Sequence, residues 1–164
     1  MATMNRIMTR ATEVLVAALL AAMACALFLE VVLRFGFGVS LPWTSEFSRY
    51  AMIWVTFFGA ALAVRGREHI QVTFFIGLLP RSCWKYVLIA INVALMAFVA
   101  ALIRYSVAIV ATEMNMRTAA LDIPFGLVVA ALPLSGVLML IYLLADTATL
   151  LRKDAAELTL GDAL

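Results

Sequence analysis

The sequence holds one histidine, two cysteines and four prolines, and only 13% of its 164 residues are charged. Each scarcity closes a class of function. Four-helix membrane proteins that carry haem hold it through axial ligands within their spans, commonly paired histidines, and His69 stands alone. Cys25 and Cys83 lie far apart and form no CxxC pair, which argues against thiol redox chemistry, against a zinc site and against a disulfide. No serine–histidine–acid set can be assembled around His69. No lysine- and arginine-rich block interleaves with aromatics, so nucleic acid is not expected as a partner. The residues therefore point away from an enzyme, and toward a chain with no cofactor and no metal.

Apolar residues are abundant. They make up 66% of the chain, and the mean hydropathy is +1.08. Soluble domains carry ~45–50% apolar and ~25% charged residues, so the surroundings of this chain are expected to be lipid. A span needs ~20 apolar residues, and four segments qualify, at about 14–33, 47–64, 86–103 and 123–144. Arg6 and Arg10 before "VLVAALLAAMACA" resemble a secretory leader. The apolar run nevertheless continues through "LFLEVVL" and three more spans follow, so a retained helix is expected. Eight basic residues (Arg6, Arg10, Arg65, Arg67, Arg81, Lys85, Arg152, Lys153) face four (Arg34, Arg49, Arg104, Arg117) across the spans. The positive-inside rule then places both termini in the cytoplasm.

The expected fold is an all-α membrane protein, a single membrane domain over 1–164 with four transmembrane helices in an antiparallel bundle. Between spans two and three, 68–80 is apolar but too short to cross, which suggests an interfacial helix anchored by Trp84. The connection from Arg104 to Asp122 is expected to begin as an extension of span three. Stripes of small residues offer close packing: Ala18, Ala22 and Ala26; Gly59 and Ala63; Ala90, Ala94, Ala97 and Ala101; Ala131 and Ser135. Pro133 predicts a kink in span four, and Asn92 in span three calls for a partner.

Ionisable residues inside a membrane mark transport chemistry, and here they are few. Glu13 and Asp146 lie at span ends. Glu30 has Arg34 four residues on, on the same helix face, so a local pair is expected. No span has the broken, glycine-rich centre of a secondary carrier's binding site. One passage stands out, "LPWTSEFSRY" at 41–50. Pro42 suits a first helical turn and Thr44 or Ser45 suits a cap. Glu46 falls near the positive end of the helix dipole. Glu46, Arg49 and Tyr50 share a face, which leaves a local ion pair or separate partners equally open, with Trp43 at headgroup level.

Read onward, "LPWTSEFSRYAMIWVTFFGAALAVRGREHIQV" (41–72) resembles the small, DctQ-like membrane subunit of tripartite ATP-independent periplasmic (TRAP) transporters. The resemblance rests on Trp43, Glu46, Arg49, Tyr50, Trp54, Phe57, Phe58, Gly59, Ala60, Ala61, Arg65, Arg67, Glu68, His69, Ile70 and Val72. "VVLRFGFG" (31–38) with Arg34, the Leu79-Pro80 pair, and 121–144 with Ile123, Pro124 and Pro133 extend it over most of the chain. The chain departs from the family at Gly126 and Val129, where a tryptophan and a tyrosine are common. The resemblance implies a non-catalytic scaffold that pairs with a large multi-span subunit carrying substrate and sodium sites, and with a periplasmic substrate-binding protein, amid membrane lipids. It implies uptake of organic acids driven by an ion gradient across the bacterial inner membrane. Arg34, Trp43, Glu46, Arg49, Tyr50, Trp54, Gly59, Glu68, His69, Pro124 and Pro133 are its candidate assembly residues. The competing reading is a self-sufficient homodimeric proton-coupled exporter that depends on Glu13 or Glu30.

Overall fold

The computed structural model describes residues 2–66 and 81–152. The expected interfacial segment 68–80, with Glu68 and His69, lies outside the described residues. The helices are α1 (Ala2–Phe37), α2 (Pro42–Gly66), α3 (Arg81–Glu113), α4 (Phe125–Val129) and α5 (Ala131–Arg152). Four stretches are long and apolar enough to cross a membrane: Arg6–Phe37, Pro42–Arg65, Tyr86–Glu113 and Phe125–Leu151. The all-α membrane fold expected from the sequence is therefore present. α3 continues past Arg104 to Glu113, as expected. We call the end that carries the 38–41 and 114–124 connections the hairpin end, and the other the termini end.

α1 ends where Gly38 takes φ +70, a left-handed conformation that costs glycine nothing. The amide of Val39 then donates to the carbonyl of Leu33 (3.1 Å), and Pro42 opens α2 with a backbone already suited to a first turn. Along α1 the better-covered positions fall at 9, 12, 16, 19, 23, 26, 30 and 33. This spacing of three and four is the narrow seam of a helix with one neighbour. That neighbour is α2, which packs in turn on α5, and α5 packs on α3.

The lateral order is thus α1–α2–α5–α3. Successive spans alternate in direction, but α2 and α5, adjacent at the centre, run parallel. Among the described residues, α1 and α3 share no comparable contact that would close the row. Polar contacts fasten it. Asn92 finds its partners within the chain, donating to Asp146 Oδ2 (2.9 Å) and Thr147 Oγ1 (3.2 Å) and so joining α3 to α5. The hydroxyls of Thr9 and Tyr142 meet at 3.4 Å between α1 and α5.

The small-residue stripes divide unexpectedly. Ala131 and Ser135 are buried in the packed face of α5, and Ala26 in that of α1. Ala18 and Ala22, Ala63, and all of Ala90, Ala94, Ala97 and Ala101 are exposed. A Cβ added to Gly59 would meet nothing within 4 Å. For α1 and α3 the physical reason is the open row: each has one main neighbour inside the chain and leaves the rest of its surface free.

Span four is interrupted, as Pro133 predicts, but the break falls just before it. α4 ends at Val129, Ala130 links it to α5 with a helical backbone (φ −59, ψ −17), and Pro133 sits in the first turn of α5. Its missing N–H costs little there. Gly136 faces α3 so closely that an added Cβ would lie 2.7 Å from Ile103 Cγ1. Replacing Gly136 with valine should destabilise the fold by about 1–3 kcal/mol through overpacking. Gly59→Ala should be neutral or stabilising by up to about 1 kcal/mol, through helix propensity alone. Thermal unfolding of the two variants in detergent checks the contrast.

Candidate functional site: a carboxylate clasp

The first turn of α2 carries the polar residues that stood out in the sequence. Thr44 is fully buried. Because α2 begins at Pro42, Thr44 lies inside the turn rather than at its cap. Its amide (3.2 Å) and hydroxyl (2.7 Å) both reach the carbonyl of Leu41, and the hydroxyl lies 2.6 Å from Glu30 Oε2 on α1. The expected pairing of Glu30 with Arg34 is corrected: among the described residues the two form no ion pair, and Glu30 fastens α1 to α2 through Thr44. Arg34 is exposed in the last turn of α1.

Glu46 reaches further. Its Oε1 accepts from the Tyr50 hydroxyl (2.6 Å) and the amide of Ala119 (3.1 Å). Its Oε2 accepts from the amides of Ala120 (2.7 Å) and Leu121 (2.9 Å). A carboxylate is an acceptor only, and each oxygen here has two donors. Bonds of this kind to an ionised group are stronger than neutral ones. Among the described residues Glu46 makes no ion pair with Arg49, whose side chain is exposed. The face shared by these residues therefore serves separate partners.

The three amides come from the tip of a small hairpin between α3 and α4. Its arms are joined by Phe125 N–H to the Met116 carbonyl (2.8 Å) and Thr118 N–H to the Ile123 carbonyl (3.0 Å), with an isolated bridge between Arg117 and Pro124. The Thr118 hydroxyl accepts from the amide of Ile123 (3.1 Å). Arg117 donates to the Asp122 carbonyl (2.8 Å) and lies 3.5 Å from its carboxylate. Asp122 turns the chain with φ +52, a conformation that aspartate tolerates better than most residues. The hairpin thus holds its own shape, and Glu46 holds the hairpin to α2.

Pro124 opens α4 as its N-cap residue. The ring of Phe125 meets that of Tyr50 edge-on, with centroids 6.0 Å apart at 71°, so one tyrosine supports the clasp by its hydroxyl and the start of α4 by its ring. The departure at Gly126 has a steric cause. An added Cβ would lie 2.9 Å from the Val110 carbonyl oxygen and equally close to Met114 Cγ and Sδ, so α3 and α4 approach too closely here for a side chain. Trp54 lies further along α2 and stacks on Phe58 (5.5 Å, 11°), and Trp43, in the first turn of α2, is exposed. Glu46, Tyr50 and Pro124 are therefore gathered at one place, whereas Arg34, Arg49, Trp54, Gly59 and Pro133 are not part of it. The partners of Glu46 carry no sequence signal, being backbone amides of two alanines and a leucine.

Four apolar spans fastened by side chains at their ends define a multi-pass membrane protein. Residues 23–153 match the family described as tripartite ATP-independent periplasmic transporters, DctQ component, and the chain belongs to that family. The family is a transporter's membrane subunit, so the chain is not an enzyme. It is similar to a chain of Haemophilus influenzae named as a TRAP transporter small permease protein, at 40% identity over 80 residues, covering 49% of this chain and 50% of that one. It is 22% identical over 100 residues to the sialic acid TRAP transporter small permease protein SiaQ of Vibrio cholerae, covering 61% and 58%. A third relative, the isethionate TRAP transporter permease protein DctMQ of Oleidesulfovibrio alaskensis, is 26% identical over 122 residues, which are 73% of this chain but 19% of that one. The chain spans about half the length of the small permease relatives it matches.

Exchanging the charges of Glu46 and Arg49 together should not restore the thermal stability lost in Glu46→Arg, because the carboxylate serves the hairpin and not the arginine. Recovery in the double variant, measured by thermal unfolding, would show that the two pair after all. Gly126→Ala should cost about 1–3 kcal/mol through the clash with the Val110 carbonyl, readable in the same measurement.

Proposed function

We propose that this chain is the fixed scaffold subunit of a secondary-active uptake system for organic acids in the bacterial inner membrane, with both termini in the cytoplasm. It pairs with a large multi-span subunit that moves substrate and coupling ion, sodium by preference, and a periplasmic binding protein delivers the substrate to the hairpin end. The observation that carries this reading is the DctMQ relative, in which the stretch matching this chain occupies less than a fifth of a longer permease. Two relatives are named for organic anions, sialic acid and isethionate, which supports the substrate class. The open row supports a scaffold, since it leaves long apolar faces, many of their residues small, for neighbouring helices to approach. The whole chain is read as one membrane unit, with Trp43, Arg34 and Arg49 at the headgroup level of the hairpin end.

The exporter reading is not favoured. Glu30 is engaged in holding α1 to α2, and Glu13 is exposed on the outside of α1. Co-expression with the large permease subunit of the same genome, followed by affinity capture in detergent, should recover both chains in one peak. Elution of this chain alone, together with proton-coupled transport by the lone reconstituted chain that vanishes on Glu30→Gln or Glu13→Gln, would overturn the scaffold assignment.

A further inference from the structure

We propose that the hairpin tip at 119–121 is a carboxylate-binding nest in its own right, for which Glu46 is the resident ligand, and that a small monocarboxylate from solution occupies it when the Glu46 side chain is removed. Three successive backbone amides converge there on two oxygens, at 3.1, 2.7 and 2.9 Å. Such runs of N–H groups in a turn form concavities for anions. The shape of this one does not come from Glu46. It is fixed by the hairpin's cross-strand bonds between Met116 and Phe125 and between Thr118 and Ile123, by the Thr118 hydroxyl, and by Arg117 bound to Asp122. The Tyr50 hydroxyl adds a fourth donor at 2.6 Å from a different helix. Receiver and ligand therefore belong to separate parts of the chain, and the receiver persists when the ligand is trimmed.

Planar, bidentate recognition sets the chemical class. Each carboxylate oxygen takes two donors, a pattern that formate and acetate reproduce and that spherical chloride does not. Donors and acceptor lie within one chain, so carboxylate binding there is independent of any partner subunit.

The test is chemical rescue of Glu46→Ala in the full chain, purified in detergent and followed by thermal unfolding. The midpoint should fall below that of the wild type, then climb with added sodium formate or acetate and saturate, as for any ligand that binds only the folded state. Sodium chloride at matched ionic strength should leave it unchanged, and the wild type should not respond to formate. Adding Tyr50→Phe to Glu46→Ala removes one charge-assisted donor and should move the formate response to about tenfold higher concentration. Equal effects of formate and chloride, or a formate response indifferent to Tyr50→Phe, overturn the proposal. If Glu46→Ala does not survive extraction, it is purified in formate or in chloride throughout. Folded protein from formate alone supports the nest, and none from either salt refutes it.

Discussion

One carboxylate with four donors fixes the hairpin end of this protein. Glu46 stands in the first turns of α2, yet it takes its hydrogen bonds from the connection between α3 and α4 and from Tyr50 one turn along its own helix. Tyr50 in turn meets Phe125, the first residue of α4. The central helix of the row, the hairpin and the start of the last span are thus tied at one point. Lipid offers no hydrophobic drive to bring spans together, so a tie of this kind does what a buried apolar core does in a soluble domain: it selects one arrangement among many that pack nearly as well.

The other polar contacts follow the same logic in pairs of helices. Thr44 and Glu30 join α2 to α1 at the hairpin end. Asn92 joins α3 to α5 through Asp146 and Thr147, and Thr9 meets Tyr142 between α1 and α5. Between these fastenings the interfaces are mostly apolar, with the small hydroxyls of Ser48, Ser106 and Ser135 buried among them. The result is a row whose faces remain available to neighbouring helices.

The four spans were legible because length and hydropathy alone dictate them. Glu46 was legible as an anomaly, a carboxylate at the start of an apolar run, but not its partners. An amide donor belongs to every residue except proline, so Ala119, Ala120 and Leu121 leave no trace in composition or spacing. The alanine stripes misled for a different reason. Periodicity shows which residues share a face, but it does not show whether that face is covered, and in an open row most are not. Glu30 and Arg34 share a face by spacing as well; the buried hydroxyl of Thr44, on another helix, was the closer partner. The interruption of span four was signalled by Pro133, and its position at Ala130 was set by where a first turn can admit proline.

The backbone origin of the three amide donors has a consequence for how this protein drifts over evolutionary time. None of residues 119–121 speaks to Glu46 through its side chain, so the clasp itself makes no demand on which side chains they carry. Only proline is barred, as it has no hydrogen to give. The information that builds the clasp is therefore stored very unevenly. One position must supply a carboxylate of the right reach, while for the clasp three others carry a single prohibition.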